Sequence, residues 1–183
     1  MRLSGASATR ILPTDPPVEA RDVALAVGPL IAGSLVGVAT NASGMPWYRT
    51  LSKPGWNPPD AVFGPVWTVL YLLMGLAAAI VARAGRDRLP AGVDEPRRRS
   101  DRALGAFAVQ LVLNLLWSVL FFGLRGIRPA AAEIVALWLS IVVTIVAFAR
   151  VRLIAGVMLL PYLAWTTFAA ALNLEIVRRN PRR

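Results

Sequence analysis

The side chains that could do chemistry in this sequence are aromatic and amide groups rather than ionisable ones. The 183 residues include six Trp but neither Cys nor His. This composition excludes disulfides, thiolate nucleophiles, Cys/His zinc sites, imidazole bases and a histidine ligand for haem iron. We therefore predict no metal site, no obligatory cofactor and no conventional catalytic residue.

Carboxylates add little to this inventory. Glu133 is the one acidic residue well inside an apolar block, and Glu175 lies near the end of the last block. Because neither has a second carboxylate to work with, the sequence predicts no acid–base or nucleophile pair. We interpret Glu133 as a structural residue or as one whose side chain snorkels towards the membrane surface.

Aromatic and amide residues recur at helical spacing in three apolar blocks. Residues three, four or seven positions apart share one helix face, so each block presents one aromatic, lightly polar stripe. The stripes are Phe63, Trp67 and Tyr71; Gln110, Asn114, Trp117 and Phe121; and Tyr162, Trp165, Ala169, Leu172 and Asn173. Such walls suit a flat, mostly apolar ligand such as a porphyrin or a sterol. Interhelical hydrogen bonds, or an interfacial aromatic belt, are the alternative explanations.

The elements that carry these stripes are apolar blocks of membrane-spanning length. Hydrophobic residues make up 56% of the chain and charged residues 16%, against about 25% charged in a typical soluble domain. Five blocks reach the roughly 20 residues that a helix needs to cross a bilayer: 23–42, 61–82, 103–123, 130–149 and 153–177. The sequence therefore predicts an all-α fold, an integral membrane bundle of five transmembrane helices.

The remaining segments are interpreted as tails and loops. Residues 1–22 are predicted to be a disordered N-terminal tail, 23–177 the membrane domain and 178–183 a basic C-terminal tail. The Pro- and Trp-rich loop 43–60 is predicted to be a stiff lid, and the Arg-rich loop 83–102 to be solvated at the membrane surface. The net charge is +10, and the charged residues lie between the apolar blocks. This placement favours membrane lipid over nucleic acid as the partner.

Two further patterns concern helix packing. Gly33 and Gly37 form a GxxxG pair in the first block, which could support close helix packing or dimerisation. Trp138 shares a helical stripe with Ile134, Ile141 and Ile145 in the fourth block. We expect that stripe to face lipid or a dimer contact rather than a ligand.

Three runs of sequence carry a resemblance to a known family. They are WYRTLSKPGWNPPDAVFGPVWTVLYLLMG (47–75), QLVLNLLWSVLFFG (110–123) and PYLAWTTFAAALN (161–173). In this order and spacing they resemble the TspO/MBR family of tryptophan-rich sensory proteins and translocator proteins, over about residues 25–180. The resemblance implies a five-helix bundle, a homodimer in many members, that binds porphyrins and other tetrapyrroles, haem among the candidate ligands. The Arg-rich, Cys-free chain resembles a bacterial member, which implies the bacterial cell membrane.

The resemblance also implies the residues of the ligand pocket. Carried over by position, they are Phe63, Trp67, Tyr71, Asn114, Trp117, Trp165, Ala169 and Leu172, with Trp56 in the lid loop. Two positions depart from the animal members: Leu174 replaces the Tyr of their sterol-recognition segment, and Pro129 replaces a Trp. The first departure makes cholesterol a doubtful ligand.

A binding protein that senses, regulates or moves tetrapyrroles is the function predicted from these observations. One rival is a light-dependent porphyrin-degrading enzyme, in which the excited porphyrin would react near Trp67 and Trp165. The other is a sterol or tetrapyrrole transporter, although the sequence shows no intramembrane charge pair or broken helix to build an aqueous path.

Overall fold

A computed structural model describes residues 18–86 and 94–181, and all regular structure in these ranges is helical. The helices are α1 (Ala20–Arg49), α2 (Asp60–Ala84), α3 (Glu95–Ser118), α4 (Ile127–Val151), the short α5 (Leu153–Val157) and α6 (Leu160–Arg179). A single π-helical turn, Val119–Gly123, continues α3.

Five stretches of the described chain are long and apolar enough to cross a membrane. They are Ala20–Ala42, Asp60–Ala84, Glu95–Gly123, Ile127–Val151 and Leu153–Arg179, the last combining α5 and α6. The predicted five-helix membrane bundle is thus confirmed. Because these stretches take up most of the chain, the protein is an integral membrane protein.

Several helix ends differ from the predicted ones. α1 continues through residues 43–49, for which the composition predicts a loop, and Pro46 lies inside the helix. Gly44 has no side chain, so this part of α1 can pack closely against the backbone of Phe122. α3 begins at Glu95 rather than after residue 102, with a proline in its first turn and an i,i+4 ion pair between Glu95 and Arg99.

The predicted tails overlap the helices. α1 already begins at Ala20, where Glu19 and Asp22 form a reciprocal capping box, and α6 continues to Arg179. The rest of the predicted N-terminal tail (1–17), part of the Arg-rich loop (87–93) and residues 182–183 lie outside the described residues. The division into tail, domain and tail stays a prediction.

α1 and α2 approach each other through small residues. A Cβ atom added to Gly75 would collide with the backbone of Ala26, and one added to Gly33 would collide with the ring of Tyr71. The Gly33 position therefore serves close packing within the chain, as the GxxxG pattern allowed. At the end of this helix pair, Arg86 bonds Asp22 at 2.5 Å and Glu19 at 3.3 Å.

The prediction that the stripe of Trp138 faces lipid or a dimer contact is wrong for two of its isoleucines. Ile134 and Ile141 are 1% and 0% exposed and belong to the core, since they share the α4 face that packs against the rest of the bundle. Trp138 itself is half-buried, and its Nε1–H donates a hydrogen bond to Thr167 Oγ1 of α6 at 2.9 Å.

Candidate ligand pocket

A cavity of about 500 Å³ lies between α1, α2, the end of α3 and α6. Six of the nine predicted site residues line it: Phe63, Trp67, Tyr71, Trp117, Trp165 and Ala169. They come from three helices that are distant in sequence, so the fold brings the three predicted stripes to one space.

Aromatic rings in edge-on and tilted contact build the cavity wall. The ring centroids of Phe63 and Trp165 are 5.9 Å apart, and those of Trp67 and Tyr71 are 5.4 Å apart. On the α3 side, Trp117 stacks on Phe121 at 5.1 Å with an interplanar angle of 18°. These are ordinary aromatic packing distances, and they hold the indole planes in fixed orientations around the open space.

A buried polar relay stands behind the aromatic wall. The Tyr71 hydroxyl donates to Asn114 Oδ1 at 2.7 Å, and Asn114 Nδ2 donates to the Tyr162 hydroxyl at 3.0 Å. All three residues are buried. Asn114 therefore does not line the cavity; it fixes the tyrosine that does.

Two other predicted site residues also lie away from the cavity. Trp56 is 50% exposed and packs edge-on against Phe168, with ring centroids 5.7 Å apart. Leu172 is buried in a separate apolar cluster near the loop end of the bundle, with Tyr48 and Ile176 among its members. Position on a helical stripe could not distinguish Leu172 from the pocket wall, because the stripe on α6 is longer than the cavity, whereas Trp56 was assigned to the site only through the resemblance.

The sequence analysis missed the contribution of α1. This helix lines the cavity with small, polar and aromatic residues: Leu30, Gly33, Ser34, Gly37, Val38, Thr40, Asn41, Met45 and Tyr48. A signal was present, since Ser34, Gly37 and Asn41 follow the three- and seven-residue spacing of one helix face. Gly37 matters for the shape, because an added Cβ would meet only Asn41 Nδ2, at 3.9 Å.

The cavity opens between α1 and the first turns of α2. Val38, Asn41 and Gly64 line it and are exposed, so they form the edge of the mouth. Asp60, at the start of α2, also lines the cavity and bonds Arg49 Nε at 2.9 Å.

The loop 50–59 closes the bundle next to this mouth but contributes no residue to the cavity lining. The Tyr48 hydroxyl donates to Asn57 Oδ1 at 2.5 Å, while Lys53 Nζ donates to the Tyr48 carbonyl oxygen at 2.9 Å. Burial, reinforced by the negative charge of Asp60, raises the pKa of Tyr48 to about 12. Tyr48 thus stays a neutral hydrogen-bond donor at physiological pH.

The same loop is joined to the end of α6. Ser52 N–H donates to Asn180 Oδ1 at 3.2 Å, and Asn180 Nδ2 donates back to the Ser52 carbonyl oxygen at 2.9 Å. Asn180 also donates to the Ile176 carbonyl oxygen at 2.8 Å, which orients its amide. α6 therefore carries both a wall of the cavity and an anchor for the loop.

Comparison of the sequence with known proteins identifies the family of this chain. The sequence profile of the TspO/MBR family matches residues 25–179. The chain belongs to the TspO/MBR family. It is similar to a tryptophan-rich protein TspO of Chlorobaculum tepidum, with 41% identity over 87% of this chain and 96% of the relative.

Two further TspO/MBR relatives carry names that describe different roles. The tryptophan-rich sensory protein of Cereibacter sphaeroides is 41% identical over 73% of this chain and 77% of its own length. The human translocator protein is 35% identical over 76% of this chain and 78% of its own length. The predicted family is confirmed, and both matches extend over most of the membrane bundle.

Proposed function

We propose that this protein binds a porphyrin or a related tetrapyrrole in the cavity and acts as a sensor, regulator or carrier of that ligand. The observation that supports this most is the wall itself. Three indoles, those of Trp67, Trp117 and Trp165, surround one open space inside a membrane bundle. Flat conjugated ligands gain stacking area from such walls.

Size and polarity fit the same class of ligand. The volume of about 500 Å³ lies within the range of roughly 300–1,000 Å³ typical of small-molecule sites. The lining is mainly apolar and aromatic, with a few neutral polar groups such as Ser34, Asn41 and Thr68. An apolar macrocycle with a few polar substituents matches this distribution better than a fully polar metabolite does.

α6 offers a route by which occupancy could be communicated. Its Trp165 faces the cavity, and Asn180 just beyond its end holds the 50–59 loop at Ser52. A ligand that displaces Trp165 would therefore shift α6, the helix that anchors this surface loop. This arrangement supports a sensing role, the role in the name of the Cereibacter relative.

A sterol is the less favoured ligand. Leu174, which stands where animal members carry the Tyr of the sterol-recognition segment, is 56% exposed on the outside of α6. An aliphatic side chain there offers no hydroxyl to a sterol. We therefore expect porphyrin to bind more tightly than cholesterol.

Tryptophan-fluorescence titration of the purified protein in the dark tests this proposal, with protoporphyrin IX, haem and cholesterol measured in parallel. Saturable quenching by porphyrin, with weaker binding of cholesterol, is expected. Trp67→Ala and Trp165→Ala should each weaken porphyrin binding by about 1–3 kcal/mol, the scale of a lost aromatic anchor. Trp138→Ala is the matched control, because that indole lies outside the cavity, and it should change the affinity little.

Equal losses in all three variants, or cholesterol affinity at or above that of protoporphyrin IX, would contradict the proposal. Repeating the titration under illumination separates binding from degradation. If the porphyrin absorbance is lost, and this loss requires both light and Trp165, the result would instead support a light-dependent porphyrin-degrading enzyme.

A further inference from the structure

The mouth of the cavity carries charge in an otherwise neutral site. Within the described ranges, Asp60 is the one charged residue that lines the cavity. Its side chain is 32% exposed, and its partner Arg49 is 68% exposed. Arg49 lies beyond the apolar span Ala20–Ala42, and Asp60 is the first residue of the span Asp60–Ala84, so the ion pair lies at the end of these spans, between the apolar space and the aqueous surface.

Arg49 uses little of its hydrogen-bonding capacity in this pair. Its Nε–H donates to Asp60 Oδ2 at 2.9 Å, and neither Nη atom has a partner in the part of the chain that the structure describes. A guanidinium has five N–H donors in a planar fork. The two Nη groups can therefore receive a second acceptor while Asp60 keeps the side chain at the mouth.

Lys53 adds positive charge beside this ion pair. Its Nζ is held 2.9 Å from the Tyr48 carbonyl oxygen and 3.4 Å from that of Arg49. Asp60 neutralises one of the two cations, so Arg49, Lys53 and Asp60 together carry a net charge of about +1. This balance favours an anionic group on the ligand at the mouth.

We propose that Arg49 is a specificity-determining residue that selects ligands bearing carboxylates, with their acidic edge at the mouth and their apolar ring inside. This inference rests on the proposed function, because it concerns the same cavity. Arginine forks bind carboxylates through two parallel hydrogen bonds, which fixes orientation as well as charge. Asp60 acts as a positioning residue: it holds Arg49 in place, while its own negative charge opposes an anionic ligand.

The test compares protoporphyrin IX with its dimethyl ester, which has the same ring and no acid groups. Arg49→Gln should lower the affinity for the diacid about three- to tenfold, as expected for losing charge-assisted hydrogen bonds at an exposed site. It should leave the affinity for the ester unchanged. Asp60→Asn, which retains an oxygen acceptor for Arg49, should raise the affinity for the diacid about two- to fivefold and leave the ester unchanged.

Arg178→Gln is the matched control. Arg178 is an exposed arginine at the same end of the bundle, paired with Glu175 on α6 and outside the cavity lining. Its loss should change neither affinity. The inference is overturned if Arg49→Gln affects both ligands equally or neither, if Arg178→Gln matches its effect, or if Asp60→Asn weakens binding of the diacid. Failure of both porphyrins to bind the unmodified protein would instead remove the proposed function.

Discussion

Tyr71 is fixed in the cavity wall by Asn114, whose Oδ1 accepts a hydrogen bond from the tyrosine hydroxyl at 2.7 Å. Asn114 also donates to Tyr162, so one amide on α3 joins a tyrosine on α2 to a tyrosine on α6. The orientation of the pocket wall thus depends on a residue that no ligand in the cavity would touch.

Asn114→Leu should destabilise the bundle, because it leaves two buried hydroxyls without their partner. We expect a loss of about 1–3 kcal/mol in the free energy of unfolding, measured in mixed micelles. Tyr71→Phe removes one hydroxyl and keeps the bond between Asn114 and Tyr162, so its cost should be smaller. An equal or larger cost for Tyr71→Phe would show that the relay does not hold the helices together.

The close approach of α1 and α2 predicts a contrast between two glycines. A Cβ at Gly75 would collide with the Ala26 backbone, which cannot move aside cheaply, whereas a Cβ at Gly105 would meet nothing within 4 Å. Gly75→Ala should therefore cost about 1–3 kcal/mol, the range for overpacking. Gly105→Ala should be neutral or stabilising by up to about 1 kcal/mol, since alanine favours helix. Thermal unfolding of the two variants measures this difference in stability. Equal changes in stability would contradict the close approach of α1 and α2 at Gly75.

The anchor between the 50–59 loop and α6 can be released by one substitution. Asn180→Ala removes both hydrogen bonds to Ser52. We expect faster amide hydrogen exchange in residues 51–53, with exchange in the middle of α2 unchanged. Unaltered exchange at the loop would mean that other contacts hold it.

Tyr48 predicts a pH dependence for the same region. Because its pKa in the folded protein is raised to about 12, the stability it contributes is complete below about pH 10 and is lost as the pH rises through 12. The tyrosinate absorbance that Tyr48→Phe removes should therefore titrate near 12, and Asp60→Asn should lower that midpoint. A midpoint near 10 would indicate a solvated hydroxyl.

Much of this fold could be predicted from the sequence because lipid imposes simple rules. Length and apolarity set the spans, and helical spacing placed Phe63, Trp67, Tyr71 and Trp165 on faces that meet at one cavity. The start of α2 after Pro59 also follows from local chemistry.

Other features depend on contacts between distant segments, which periodicity does not encode. α1 is mostly exposed and weakly amphipathic, so the face shared by Ser34, Gly37 and Asn41 is only a weak signal in the sequence, and it becomes a pocket wall where α1 packs on α2. Trp56 lies outside because Phe168 offers its ring a partner there. From the sequence, the apolar stripe of Ile134 and Ile141 could face either lipid or the core. In the structure α4 packs with this stripe against the core.

A substitution that reduces the volume of the cavity is the most direct test of ligand binding there. Gly37 lines the cavity, and a Cβ added there would meet only Asn41 Nδ2, at 3.9 Å, so the side chain of Gly37→Leu should extend into the ligand space. Gly105→Leu is the control, with the same change in open space away from the cavity.

The decisive measurement is the affinity of these two variants for protoporphyrin IX, by fluorescence titration of protein shown to be folded by circular dichroism. Binding in the cavity predicts that Gly37→Leu loses at least about fivefold in affinity, since one unrelieved overlap costs roughly 1–3 kcal/mol, while Gly105→Leu binds as the unmodified protein does. Equal porphyrin affinity in the two variants would contradict binding in this cavity.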